Sequence, residues 1–175
     1  MKKILVIGAS NSPSSINKQL AVWAAEQIQD AELTILDLND FELPLYHPQR
    51  HKEGIPELAQ AFYNHISDCD GVVISFAEHN GSYTAAFKNI YDWASVINSK
   101  TWQEKPLFLM ATSPGGRGGI SVLDAAAARF PHMGGQVLAT FSLPSFGQNF
   151  DDGISNDELL MKFKDALDTF AEGIG

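Results

Sequence analysis

The sequence predicts an α/β fold in which helices cover both faces of a parallel, doubly wound sheet. Short, continuously apolar runs, typical of buried strands, alternate along the chain with longer segments whose apolar residues recur at helical spacing. Loops rich in glycine, serine and asparagine follow several of these runs, as expected where parallel strands lead into crossover helices. No repeat or linker divides the chain, so we expect residues 1–175 to form one domain.

The first strand is predicted over Lys2–Gly8, an apolar run that is too short for a helix. A helix is expected from about Ser15 to Gln29, because its apolar residues share one face. Leu33–Leu38 is the second predicted strand. The stretch from Asn39 to Gly54 has little regular pattern and is expected to cross the surface at one end of the sheet.

The alternation of strands and helices continues through the second half of the chain. Three more apolar runs predict the strands Val72–Phe76, Pro106–Ala111 and Gln136–Ser142. Helical spacing predicts four further helices, at Leu58–Ile66, Ala86–Ile97, Ser121–Phe130 and Leu160–Phe170. We therefore predict a five-stranded parallel sheet in the doubly wound order 2-1-3-4-5.

The composition favours a soluble protein of the cytoplasm. The formal net charge is -9, and the acidic residues are scattered with no basic stripe, so nucleic acid and anionic membranes are not expected as partners. The opening apolar run stops at Gly8, too early for a signal or membrane segment. Cys69 is the only cysteine, which excludes a disulfide framework, and we expect it to be a small buried residue.

Three unusual loops follow the first, third and fourth strands, at the same end of the sheet. They are Ser10–Asn17, Ala77–Ser82 and Ser113–Gly119. In the order 2-1-3-4-5 these strands are neighbours, so the loops should converge on one crevice, where doubly wound sheets bind their ligands. A glycine-rich loop can also be a tight connection, but beside the other two the glycines of the third loop indicate close backbone approach to a flat ligand.

The first loop has the character of an anion-binding site. It leads into a helix N-terminus, where free backbone N–H groups and the helix dipole favour a phosphate, and its serines and asparagine could add neutral donors. The alternative is that these residues only cap the helix. The patterns G-x-x-x-x-G-K-[ST] and G-x-G-x-x-G are both absent, which favours a mononucleotide such as flavin mononucleotide (FMN).

The three loops also carry a family resemblance. The sequence SNSPSSIN at Ser10–Asn17 resembles the first loop of the NADPH-dependent FMN reductase family, G-S-x-R-x-x-S-x-N. EHNGSY at Glu78–Tyr83, followed by FKNIYDW at Phe87–Trp93, is similar to that family's P-E-Y-N-G-S and L-K-N-x-x-D-W. SPGGRGG at Ser113–Gly119 looks like its S-P-G-G-x-G-G loop. The likeness covers most of the chain in register.

The resemblance implies a flavodoxin-like fold that binds FMN noncovalently, with NADPH or NADH as co-substrate. It implies cofactor contacts from the first loop at Ser10, Ser12, Ser15, Ile16 and Asn17, with the phosphate held by Ser10, Ser15 and Asn17. It further implies ring contacts from the later loops at Glu78, His79, Asn80, Gly81, Ser113, Gly115 and Gly116. Three residues depart from the family pattern: Ser12 replaces an arginine, Ala77 a proline and His79 a tyrosine.

The function implied by the resemblance is transfer of hydride from the nicotinamide to the flavin and then to a small acceptor such as a quinone, a flavin or an azo compound. Positioning matters more than acid–base chemistry in such a reaction, so no side chain is predicted as catalytic. Two alternatives remain open from the sequence: a flavodoxin-type electron carrier, and a flavin-free interaction module of the same fold.

A homodimer is also expected, mainly from the resemblance. Four large aromatic residues support it, because they exceed what one helix face readily buries, although a monomer could bury them in its own core: Phe87, Tyr91, Trp93 and Trp102.

Four cationic or titratable positions need a separate interpretation. His79 is expected to pack as a shape-compatible replacement. His47 and His51 are expected to be solvated loop histidines, since Pro48 leaves no helix to align them on a metal. Arg117 could meet a nucleotide phosphate or point to solvent.

Overall fold

The computed structural model describes residues 1–174 and contains one parallel sheet. Its strands are β1 (Lys2–Ala9), β2 (Ala31–Leu36), β3 (Gly71–Phe76), β4 (Pro106–Thr112) and β5 (Gln136–Leu143). They lie in the order β2-β1-β3-β4-β5, which confirms the predicted topology. The register pairs Gly8 with Ser75 and Ala9 with Phe76, so β1 and β3 end side by side.

Helices follow the strands on both faces of the sheet. The α-helices are α1 (Ile16–Glu26), α2 (Pro48–Lys52), α3 (Glu57–Ser67), α4 (Ala85–Ile97), α5 (Ile120–Arg129), α6 (Phe146–Asn149) and α7 (Asp157–Gly173). Short 3-10 turns lie at Leu38–Phe41 and Phe130–Met133. The predicted strands and long helices are all present, with ends shifted by a few residues. The short helix α6 was not predicted. No helix of the described chain is long and apolar enough to cross a membrane.

The alternation of side chains along the central strands creates two cores. Leu5 and Ile7 of β1 pack into a buried cluster with α3, α4 and α5. Their neighbours Ile4 and Val6 point to the opposite face, into a cluster with α1 and α7. Successive residues of a strand face opposite ways, so a strand buried on both sides must be apolar throughout. This is the physical reason for the continuous apolar runs of the sequence.

The segment 39–54 has more structure than the sequence predicts. It contains α2 and part of a 3-10 turn, and side chains of α4 hold it in place. Asn89 Oδ1 accepts a hydrogen bond from the Tyr46 N–H at 2.9 Å, and Trp93 Nε1 donates to the Pro44 carbonyl at 2.7 Å. These bonds satisfy backbone groups that a patternless loop would leave to water. The prediction of an irregular segment was therefore wrong in part.

The two histidines of this segment lie at α2 and not in a loop. Pro48 occupies the first helical turn, where its missing N–H has no cost, and so starts the helix instead of preventing it. His47 caps this helix, its Nδ1 accepting from the Arg50 N–H at 3.1 Å. His51 Nδ1 lies 3.0 Å from the Tyr46 hydroxyl. Each histidine thus has a local structural partner.

The four aromatic residues that supported a dimer belong to the core of the subunit. Trp93, Trp102 and Phe87 are fully buried, and Tyr91 is 5% exposed. Tyr91 and Trp102 pack around Phe130, and the Tyr91 hydroxyl donates to the Met133 sulfur. These four side chains leave no aromatic surface for a partner. The prediction that they support a dimer was therefore wrong. Cys69 is buried, as predicted.

Candidate functional site

A cleft of about 280 Å³ lies at the carboxyl ends of β1, β3 and β4, where the three unusual loops meet. The following predicted site residues line it: Ser10, Ser12, Ser15, Ile16, Asn17, Glu78, His79 and Ser113. The order of the strands brings these distant segments together. The cleft is therefore the convergence point predicted from the sequence.

Four other predicted residues, Asn80, Gly81, Gly115 and Gly116, are exposed and lie outside this lining. They belong to two exposed segments, residues 79–82 and 115–116, that continue the chain from the lining residues His79 and Pro114; we call these two segments the mouth of the cleft. Thr112 and Pro114 line the cleft but were not predicted. Both are sequence neighbours of the predicted site residue Ser113, and this adjacency could have identified them as site residues.

Residues 10–17 form a cradle at one end of the cleft. Ser15 is the N-cap of α1, its Oγ accepting from the Lys18 N–H at 3.1 Å, and Ser10 Oγ accepts from the Ser12 N–H at 3.1 Å. Within the described chain, the N–H groups of Ile16 and Asn17 have no protein partner. Such groups at a helix N-terminus favour an anion. The capping role and the anion-binding role of Ser15 are thus compatible.

The cation closest in sequence to the cradle is already paired. Lys18 Nζ lies 2.6 Å from Asp37 Oδ2, at the end of β2. This hydrogen bond lowers the pKa of Asp37 to about 2. The lysine charge is therefore shared with a carboxylate, and Ser12 stands where the family pattern has an arginine. An anion in the cradle would meet neutral donors and the helix dipole.

Asn17 is buried beneath the cradle and joins three elements, an arrangement that we call the Asn17 network. Its Oδ1 accepts from the Ser75 hydroxyl at 2.7 Å and from the Thr112 N–H at 3.0 Å. Its Nδ2 donates to the Thr112 carbonyl at 3.1 Å. All three residues are at most 2% exposed. The amide side chain therefore holds α1 against the ends of β3 and β4, while the backbone N–H of Asn17 remains available at the cradle.

Residues 79–82 form a two-residue hairpin turn at the mouth. His79 and Ser82 exchange two backbone hydrogen bonds of 3.0 and 3.1 Å. The central residues Asn80 and Gly81 have φ values of 52° and 74°, as a type I′ turn requires. Asn-Gly is the sequence signature of this turn, so its geometry could have been predicted. His79 is exposed, and the expectation that its side chain packs was wrong.

The glycine-rich loop divides into a structural half and an open half. A Cβ on Gly118, whose φ is 58°, would lie 2.4 Å from Ser142 Oγ, and one on Gly119 would lie 2.9 Å from Ala111 Cβ. Side chains are therefore excluded there by β4 and β5 themselves. Gly115 and Gly116 have no atom within 4 Å of an added Cβ. Gly118 and Gly119 are therefore glycines of a tight connection. Gly115 and Gly116 leave free space at the mouth.

Glu78 joins the loop after β3 to helix α5. The N-cap residue of α5, Gly119, has no side chain to cap the helix, and Glu78 Oε2 accepts from the Val122 N–H at 2.9 Å instead. A carboxylate at a helix N-terminus is stabilised by the free N–H groups and the dipole. Glu78 thus fixes one wall of the cleft relative to the other. Arg117 is exposed and donates to Ser121 Oγ at 3.0 Å.

The Gly115 carbonyl holds the glycine-rich loop to the following segment. It accepts from the Ser145 N–H at 2.9 Å and from the Ser113 hydroxyl at 3.1 Å. The Phe146 N–H donates to the Ser113 carbonyl at 3.0 Å. Because these carbonyls are bound on the β5 side, the loop keeps a fixed path beside the cleft.

Comparisons with known proteins agree with this geometry. The family model described as NADPH-dependent FMN reductase matches residues 2–148. A 2-hydroxy-1,4-benzoquinone reductase of Burkholderia sp is 37% identical over 118 residues, which cover 66% of this chain and 63% of that protein. A quinone reductase of Escherichia coli (strain K12) is 30% identical over 123 residues, covering 64% of this chain and 65% of its own length. The matches thus span just under two thirds of these relatives.

Solved structures show the same fold. The flavoenzyme NAD(P)H:(acceptor) oxidoreductase FerB from Paracoccus denitrificans superposes with a TM-score of 0.79 at 23% identity, over 99% of this chain and 97% of that one. An oxidoreductase from Corynebacterium diphtheriae gives a TM-score of 0.76 at 20% identity, covering 99% and 97%. Because the family model matches residues 2–148, most of the sequence, the chain belongs to the NADPH-dependent FMN reductase family.

Proposed function

We propose that this chain is an NAD(P)H-dependent, FMN-containing oxidoreductase that reduces small acceptors. The observation that carries the proposal is the meeting of three loops at one cleft, with a neutral anion cradle at one end and an open mouth at the other. Family membership supports the cofactor and the class of reaction. The relatives named quinone reductase and NADPH azoreductase support quinones and azo compounds as acceptors, with free flavins as a further candidate.

The residues present suit FMN. The cradle offers backbone N–H groups at Ile16 and Asn17 and hydroxyls at Ser12 and Ser14, a donor set that matches a phosphate. The space beside Gly115 and Gly116 admits a flat group close to the backbone. A cleft of about 280 Å³ lies near the lower end of typical ligand sites, and it is continuous with the open mouth.

Bound FMN would supply the hydride chemistry, accepting from a nicotinamide and giving to the acceptor. The protein's part is to hold and orient. The cradle anchors the phosphate, and the Asn17 network fixes the cradle on the sheet. Glu78 accepts from the Val122 N–H through one carboxylate oxygen and so holds the loop after β3 against α5. The open mouth lets the nicotinamide and then the acceptor occupy the same place in turn.

A homodimer remains part of the proposal, resting on the family resemblance, as does a cytoplasmic location. Leu45 is 75% exposed, and Ile55 and Leu58 are also exposed, which leaves apolar surface around the segment before α3. Light scattering at micromolar concentration tests the dimer, because a mass near the 19.1 kDa of one chain would refute it.

Anaerobic spectroscopy tests the proposed activity. Apo protein is titrated with FMN, and the complex is then mixed with NADPH or NADH in the absence of other proteins. We expect FMN to bind and the flavin absorbance to bleach within minutes, and a quinone to restore it. Bleaching by dithionite but by neither nicotinamide would favour an electron carrier. Failure to bind FMN would favour an interaction module.

A further inference from the structure

A second, larger cavity begins where the cleft ends. This groove of about 520 Å³ runs along the outer side of α1 as far as Glu26. Ser14 and Ser15 line both the groove and the cleft, so the two cavities meet at the N-terminus of α1. From that point the cleft extends toward the loops after β3 and β4, and the groove extends along the helix. A ligand whose phosphate lies in the cradle can therefore continue in either direction.

The groove has an aromatic floor. Trp23 meets Phe150 edge to face, with ring centroids 5.8 Å apart, and packs at 4.7 Å against the buried Phe163. A Cβ on Gly153 would lie 2.8 Å from Trp23 Nε1, so the turn before α7 closes tightly on one edge of the indole. Trp23 and Phe150 are held by these contacts and are still partly exposed. They offer a rigid apolar surface of the kind on which a nucleobase stacks.

The rim of the groove is polar and changes character along its length. Lys18 and Gln19 lie near the serine end, while Glu26 and Asp152 contribute carboxylates. The eleven residues of α1 extend about 16 Å, enough for a nucleoside to lie beside the helix. The serine donors at the phosphate end, an aromatic floor and carboxylate acceptors for hydroxyl groups together match a nucleoside 5′-phosphate.

We propose that this groove binds the adenosine 5′-phosphate half of FAD when its flavin half occupies the cleft, so that the chain accepts FAD as well as FMN. The inference rests on the proposed function, since it takes the cleft as the flavin site. The shared serines identify FAD as the dinucleotide, because its adenosine continues from the flavin phosphate. A nicotinamide cofactor must instead reach the ring from the mouth.

Calorimetric titration of apo protein with FMN and with FAD tests the proposal. For the wild type we expect an FAD dissociation constant within about tenfold of that for FMN. Trp23→Leu keeps an apolar side chain against Phe163 but removes the stacking surface. It should raise the dissociation constant of FAD about tenfold, the usual effect of losing one base–aromatic stack, and that of FMN less than twofold. Met161→Ala, exposed on α7 away from the groove, should change neither.

The outcomes separate this proposal from the proposed function. Binding of FMN without binding of FAD would overturn the groove assignment and leave the flavin site intact. Equal weakening of both flavins by Trp23→Leu would overturn it too. A change of oligomeric mass in Trp23→Leu with unaltered FAD affinity would assign the groove to a second copy. Failure of both flavins to bind would refute both proposals.

Discussion

The cradle and the mouth of the cleft differ in how far folding itself builds them. In the cradle, Asn17 is buried and its side-chain amide bonds to β3 and β4, while Ser15 caps α1. At the mouth, a side chain added at Gly115 or Gly116 would meet open space, and the 79–82 turn is exposed. One end of the site is thus built as part of the core, while the other end has no contact that the fold itself requires. Substitutions at the two ends should therefore fail in different ways.

The largest expected effect is on the cradle. Asn17→Ala leaves the Ser75 hydroxyl and both backbone groups of Thr112 buried without a partner. Each such group costs about 1–3 kcal/mol, so we expect the free energy of unfolding to fall by about 3 kcal/mol or more. Urea denaturation measures it. Ser12→Ala, exposed in the same loop, should stay within about 0.5 kcal/mol of wild type. An Asn17→Ala variant that kept the stability of the wild type and lost only FMN binding would contradict the expectation that the cradle is part of the folded core.

The glycine-rich loop repeats the comparison within a few residues. Gly118→Ala places a Cβ 2.4 Å from Ser142 Oγ on a left-handed backbone, and should lower the free energy of unfolding by about 2 kcal/mol. Gly116→Ala meets open space and should leave stability unchanged while weakening FMN binding. Thermal melting with and without FMN distinguishes the two variants. Equal melting temperatures for both apo variants would contradict the division of the loop.

Placing the family's arginine at position 12 tests whether the cradle binds phosphate through neutral donors alone. Ser12→Arg adds a charged donor beside the proposed phosphate position, and we expect FMN to bind about tenfold more tightly, or about 1.4 kcal/mol. Ser12→Gln has similar polarity without the charge and should gain little. The gain of the arginine variant should shrink as salt is raised, because salt screens exposed charges. If Ser12→Gln bound FMN as tightly as Ser12→Arg, the gain in affinity would come from the added contact and not from the charge.

The smallest expected effect concerns the ion pair beside the cradle. Lys18 holds the pKa of Asp37 at about 2, below its usual 3.8. A carboxyl with a lowered pKa stabilises the fold above pH 3.8 and loses that contribution as the pH falls toward 2. Both side chains are more than a third exposed, so the contribution should stay below about 1 kcal/mol. Urea denaturation at several pH values measures this contribution. The free energy of unfolding should change less between pH 2 and pH 3.8 in Asp37→Asn, and likewise in Lys18→Met, than in the wild type.

The sequence was sufficient for the fold because burial on both faces leaves a direct trace in composition. Alternate residues of β3 and β4 serve opposite cores, so both strands are buried over almost their whole length and both are apolar at nearly every position. The order of the strands then followed from the doubly wound topology. The segment 39–54 escaped prediction because its order comes from hydrogen bonds between its backbone and two side chains of α4, Asn89 and Trp93, which are distant in sequence.

The site was predictable as a place but not in the roles of its residues. The three loops could be found from composition, and Asn80-Gly81 even encodes its own turn. Asn17 was expected to hold a ligand, yet its amide binds Ser75 and Thr112, which no local pattern shows. The same limit applies to Glu78, whose partner Val122 lies 44 residues away. Roles that depend on long-range partners require the assembled structure.

The Asn17 network has a consequence for how the chain is made. Its members are separated by 58 and 95 residues in sequence, so the network closes only after β4 has been synthesised and has docked on β3. Until then Asn17 remains hydrated on a growing chain whose first strand emerged long before. We therefore expect nascent chains that end before Thr112 to lack a formed cradle. The cofactor would then load only after β4 has emerged and docked, and abandoned shorter fragments would not sequester it.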